Sequence, residues 1–245
     1  MSDQITFTHR VRRASRALSG AIVLTSTALL LGASCADAQD RRAILALADA
    51  GRLDDAEAAA RAAGSSEAVT LGDVLVLRGR LDAADSAYAA AIAVRAPLAR
   101  VAQIGRAELL ERRGAIDQAL TAAEVIAEAY RRDGRAWSAE EHLAAGRAWV
   151  LLSRTDARLA QQALAAFDAA FAADPTLLDA RVRVGVLFLT KYAAADAKKS
   201  FDEVLGVRAD HPGALAGLAR LQEFEGSSEA METARKALAS NPALV

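Results

Sequence analysis

The 245-residue sequence holds one cysteine, Cys35, only four prolines, and so few aromatic side chains that they make up 4% of it. A single thiol cannot form an intrachain disulfide, and beyond Cys35 there is no thiolate to bind zinc or act as a nucleophile. The shortage of aromatic and turn-forming residues excludes a β-sandwich or barrel, whose strands need both. Neither sign of charge is in excess, since 30 basic and 31 acidic residues leave a formal charge of −1. Phosphates would find no basic surplus, so no nucleic-acid partner is expected. Alanine is what the chain has in quantity: 63 residues, about half of its 53% hydrophobic content. A thin, alanine-rich core suits helices packed close together.

The first 38 residues read as an address. Residues 1–16 include His9, Arg10, Arg12, Arg13 and Arg16, and residues 17–36 carry no charge before Asp37. A basic start, an apolar stretch and the small residues of Ala36-Asp37-Ala38 fit a secretory signal peptide cleaved before Gln39. Two alternatives stay open. Leu31-Gly32-Ala33-Ser34-Cys35 resembles a bacterial lipoprotein box, with Gly32 where a large apolar residue is usual, and an uncleaved anchor would need nearly the whole uncharged run to span a bilayer. Membrane association is expected only under these two. All three readings put the remainder outside the cytoplasm, because the arginines stay inside. That remainder, residues 39–245, keeps 26 basic and 29 acidic residues.

From residue 41 the chain repeats itself. Gly51-Arg52-Leu53-Asp54-Asp55-Ala56, Gly79-Arg80-Leu81-Asp82-Ala83-Ala84 and Gly114-Ala115-Ile116-Asp117-Gln118-Ala119 share one motif, and weaker versions end in Ala163, Ala197 and Ala230. The six alanines are 28, 35, 44, 34 and 33 residues apart, a period that belongs to a helix-turn-helix solenoid with one short unit and one insertion. Tyr88, Phe167 and Phe201 follow their alanines by four positions, on the same helical face. Gly72, Ala107 and Gly185 precede theirs by twelve, where small side chains let two helices approach. Gly146 takes the same place if the insertion lies in the turn that follows it.

This pattern resembles the tetratricopeptide repeat. Leu71-Gly72, Leu75, Ala84, Tyr88, Ala91 and Pro97 occupy that family's positions in one unit, and Val184-Gly185, Phe188, Ala197, Phe201, Val204 and Pro212 do so in another. The family's early tryptophan is absent from both. The resemblance spans roughly residues 41–242 and implies an all-α fold, a right-handed superhelical solenoid of about six helical hairpins: 41–63, 66–95, 97–132, 137–173, 176–208 and 212–240. Ser138 with Glu141 has capping-box spacing. Asp174-Pro175 and Asn241-Pro242 each pair a helix cap with proline at the first helical position. The last of these announces a helix with little chain left to build it, so the last hairpin is expected to lack a cap. One explanation is that the chain is the N-terminal part of a longer protein.

No sequence motif of hydrolytic, phosphate-binding or metal chemistry is present, and no enzyme activity, cofactor or metal is expected. His142, His211, Trp137 and Trp149 are read as packing residues. The resemblance implies a concave groove lined by the first helix of each unit, and its offsets fall on Val69, Asp73 and Val76; Ile104, Glu108 and Glu111; Leu143, Arg147 and Val150; and Val182, Val186 and Leu189. The stripe is more apolar than a solvated face requires. Ile104, Leu143 and Val182 are its expected centre, with Glu108 and Glu111 as peripheral charges. The function expected is therefore an exported scaffold that binds a protein or peptide of the cell envelope in the groove. The alternative is the recognition segment of a larger exported enzyme, such as a hydrolase, whose catalytic domain follows residue 245.

Overall fold

The computed structural model describes residues 39–96 and 98–244. The signal-peptide and Cys35 readings, the unit boundary at Pro97 and the terminal Val245 therefore lie outside the described residues. Contacts divide the chain into residues 1–43, of which the described residues 39–43 are helical, and residues 44–245, which form the array. Twelve α-helices, three short 3-10 turns and no strand occur among the described residues, the α-helices in six hairpins. They are α1 (residues 39–49) with α2 (Leu53–Ala63), α3 (Ala68–Leu77) with α4 (Leu81–Ala93), α5 (Ala99–Arg112) with α6 (Ile116–Asp133), α7 (Ala139–Leu152) with α8 (Ala160–Ala173), α9 (Asp179–Thr190) with α10 (Ala194–Val207), and α11 (Pro212–Phe224) with α12 (Ala230–Ser240).

The repeat motif forms these hairpins through a tight turn and a close contact. Gly79 and Gly114 take the turn with φ of 70° and 79°, a region that costs a side chain energy and glycine nothing. Two residues later a large aliphatic residue opens the second helix, at Leu81 and Ile116. One turn into that helix the motif alanine, Ala84 or Ala119, is fully packed, and four residues beyond Ala84 the buried Tyr88 ring meets the first helix. A Cβ on Gly72 would stand 2.3 Å from that ring and one on Gly105 of the next unit 2.6 Å from it. Phe201 lies in the same way between Gly185 and Gly217, and Phe167 against Gly146. The Gly146 contact confirms that the insertion occupies the turn of residues 153–159.

Helix ends agree with the sequence at some places and not at others. Ser138 and Glu141 form the expected capping box at the start of α7. Asp174, by contrast, accepts from the backbone N–H and hydroxyl of Thr176, so it closes a turn, and α9 starts later, at Asp179. Asn241-Pro242 opens no helix among the described residues either. Instead Asn241 Nδ2 donates to the carbonyl of Ala48 at 3.1 Å, Pro242 packs beside Gly51, and Arg208 pairs with Asp49 at 2.9 Å. The end that was expected to lack a cap rests against the first hairpin.

These contacts give glycine substitutions opposite signs at different sites. Gly146→Ala and Gly185→Ala are expected to lower urea stability by about 1–3 kcal/mol, because a ring must move in a packed core. Gly206→Ala, in α10 with open space around the added methyl, is expected to raise it by roughly 0.5 kcal/mol through helix propensity alone. Equal shifts at all three sites would contradict the packing.

Candidate binding face

Among the first helices α3 lies against α5, α5 against α7 and α9 against α11, so their inward residues share one face. The twelve sequence-predicted residues lie on that face in three layers along the helices. Val69, Ile104 and Val182 are buried and Leu143 is half-buried, all packed with the core. Ile104 and Val182 are therefore not the centre of an exposed stripe; one turn from a close helix contact, they are covered by neighbouring helices. Asp73, Glu108, Arg147 and Val186 form the middle layer. Val76, Glu111, Val150 and Leu189 form the outermost one and keep part of their surface in solvent.

Charge fills the middle layer on α3, α5 and α7, and Val186 of α9 is its apolar member. The Arg147 guanidinium donates to both oxygens of Glu108, at 2.8 and 2.5 Å, a two-pronged pair between α7 and α5. Glu108 is thus not a peripheral charge. Burial would push its pKa up, but the adjacent Arg147 outweighs that and holds it at about 2. Asp73 accepts from the Tyr88 hydroxyl at 2.6 Å, and burial raises its pKa against the pull of Arg147 and of that hydrogen bond. Arg183, which donates to Asp179 at 2.8 Å, reaches both Asp73 and Glu108 with its charge. Side chains from α3, α5, α7 and α9 thus form one mutually compensating network.

Open space begins where this network ends, at the C-terminal ends of the first helices. One cleft of about 290 Å³ is lined by Glu111, Arg112, Val150, Arg154, Val186 and Thr190 around the Arg147–Glu108 pair. A second, of about 340 Å³, lies between α9 and the last turn of α11 and shares Val186 and Thr190 with the first. Arg154 pairs with Glu111 at the rim. Arg183, Arg112, Tyr192, Arg220 and Phe224 were not identified from sequence. Of these, only Tyr192 left a signal, since it stands five residues before Ala197, where the motif places glycine.

The histidines and tryptophans serve packing. His142 is buried, with Nδ1 on the Tyr130 hydroxyl at 2.9 Å, and burial lowers its pKa. His211 Nδ1 accepts from the Ala214 N–H and caps α11. Trp137 and Trp149 are buried beneath Arg100 and Arg131. Among the described residues no group of three or more His, Cys, Asp and Glu is placed to hold a metal ion, and no helix is long and apolar enough to cross a membrane.

No protein-family model matches the chain, and no curated protein matches it in sequence. Its fold does have solved counterparts. The chain is similar to a thermophilic tetratricopeptide-repeat protein of Thermus thermophilus, at 23% identity over 73% of this chain and 92% of that one, with a TM-score of 0.57. It is similar to human IFIT1, solved as a dimer with PPP-AAAA, at 17% identity over 82% of this chain and 49% of that one, with a TM-score of 0.51. A tetratricopeptide-repeat protein of Parabacteroides merdae matches at 17% identity over 84% of this chain and 80% of that one, with a TM-score of 0.48. With the hairpins described above, the first two define the architecture: an all-α helical-repeat solenoid of the tetratricopeptide type.

Two measurements separate sealed from open parts of this face. Ile104→Ser is expected to cost about 2–4 kcal/mol of stability by deleting packed methyl groups, whereas Val186→Ser, at 37% exposure, should cost under about 0.5 kcal/mol. Because the folded pKa of Glu108 lies below its ordinary 4.5, the pair stabilises above that pH and its contribution fades as pH falls toward 2. Arg147→Ala is therefore expected to cost on the order of 2–3 kcal/mol at pH 7 and clearly less at pH 3, read from urea midpoints. A cost independent of pH would contradict the pairing.

Proposed function

We propose that the protein is an exported, non-enzymatic scaffold that binds a peptide or protein segment of another cell-envelope protein, using the open ends of its first helices. The observation behind this reading is the pair of adjoining clefts bounded by α5, α7, α9 and α11, which mix aliphatic side chains with arginines and hold no catalytic constellation. A repeat array that presents successive helix ends side by side offers an extended surface, suited to an extended ligand. Export is supported by the basic-apolar-small order of residues 1–38.

A photo-crosslinking amino acid at Leu189, on this face, and at Val125, 59% exposed on the second-helix side, tests the reading in cells expressing the full chain. Crosslinks to an envelope protein are expected from position 189 and not from position 125. The mature mass is expected to begin at Gln39. Equal crosslinking from both positions would contradict the assigned face, and an unprocessed cytoplasmic chain would contradict export.

A further inference from the structure

Tyr192 breaks the rule of the hairpin turns. After α1, α3, α5 and α11 the turn holds Gly51, Gly79, Gly114 and Gly226 at φ between 70° and 79°, but after α9 it holds Tyr192 at φ 60°. A side chain in that left-handed conformation is strained where glycine is not; Arg95 and Leu98 share it, but they lie between hairpins and not in a hairpin turn. Packing within the chain does not account for the tyrosine, which is 81% exposed. Its ring stands 6.0 Å from that of Phe224, itself 64% exposed, at a tilt of 46°. Two large aromatic rings therefore sit in solvent at the mouth of the 340 Å³ cleft, above Val186 and Leu189.

Charge along the joined clefts leans positive. Five arginines line them, against the three glutamates Glu108, Glu111 and Glu223, in a chain whose net charge is −1. Arg147, Arg154 and Arg183 are committed to Glu108, Glu111 and Asp179. Arg112 and Arg220, one in each cleft, are in none of the ion pairs found among the described residues, although the charge of Arg112 also acts on Glu108.

Building on the peptide reading above, we infer that the joined clefts bind an extended acidic peptide, with an aromatic or large aliphatic side chain held against Val186, Leu189, Tyr192 and Phe224 and carboxylates met by Arg112 and Arg220. Buried apolar anchors supply most of the energy of such contacts, and the flanking charges select the partner. A nucleic acid fits less well. Two arginines outside ion pairs are few for a run of phosphates, and two rings tilted at 46° form no parallel slot for a base.

A random twelve-residue peptide library displayed on phage, panned against the purified full chain, tests the inference. Enriched peptides are expected to set Phe, Tyr, Trp, Leu or Ile beside Asp or Glu. Their affinity, by fluorescence anisotropy, should fall about fivefold or more in Tyr192→Gly, Arg220→Glu and Arg112→Glu. Tyr192→Gly is the decisive variant, because glycine suits the turn: its thermal midpoint should equal or exceed that of the parent while binding falls. Basic or anchorless peptides, full affinity in Tyr192→Gly, or displacement by a twelve-residue oligoadenylate would each overturn the acidic-peptide assignment. If the enriched peptides crosslink to Leu189 yet ignore all three substitutions, peptide binding stands and this partner chemistry falls. If no peptide of any composition enriches, both fall.

Discussion

An aromatic ring packed onto glycine holds three of the six hairpins, and this contact governs what each first helix can present. Tyr88, Phe167 and Phe201 meet Gly72, Gly146 and Gly185 so closely that a single added carbon would overlap them. Such a contact fixes the spacing of the two helices and also the rotation of the first about its own axis. With rotation fixed, the residue following each glycine, Asp73, Arg147 or Val186, must point to the inner face. Tyr88 and Phe201 also touch Gly105 and Gly217 of the next unit, so the same ring sets the step between units.

That geometry forces polar side chains together. Placing Asp73, Glu108 and Arg147 on neighbouring inner faces would be costly if any charge stood alone, and the structure compensates by pairing them and drawing in Arg183. The pairing consumes the middle of the groove on α3, α5 and α7, so contact surface remains at Val186 and toward the C-terminal ends of the first helices. At the far end of the array, Asn241 and Pro242 meet Ala48 and Gly51 of the first hairpin, and Arg208 meets Asp49.

Much of this was legible because it is local and periodic. Glycine turn, aliphatic residue and buried alanine recur in sequence as they do in space, and hairpin limits read from them fall within a few residues of the observed helices. Side-chain accessibility was not legible. Ile104 and Val186 look alike as aliphatic groove residues, yet one is enclosed by neighbouring helices and the other is not, a difference set by contacts between units. The Arg147–Glu108 pair joins residues 39 apart, and the Asn241–Ala48 bond residues 193 apart; no local pattern specifies either. Tyr192 was the exception, a visible break in the repeat whose meaning needed the turn conformation and its exposed neighbour Phe224.

The central claim is that the first-helix face is sealed in the layer of Ile104 and Val182 and opens from Val186 toward the C-terminal ends. Thiol labelling tests it most directly. In chains whose Cys35 is replaced by Ser, single cysteines at Ile104, Val182, Val186 and Leu189 would each be reacted with a maleimide under native conditions. The structure predicts that positions 186 and 189 label about tenfold faster or more than positions 104 and 182, which must wait for local opening. Comparable rates at all four positions would contradict it.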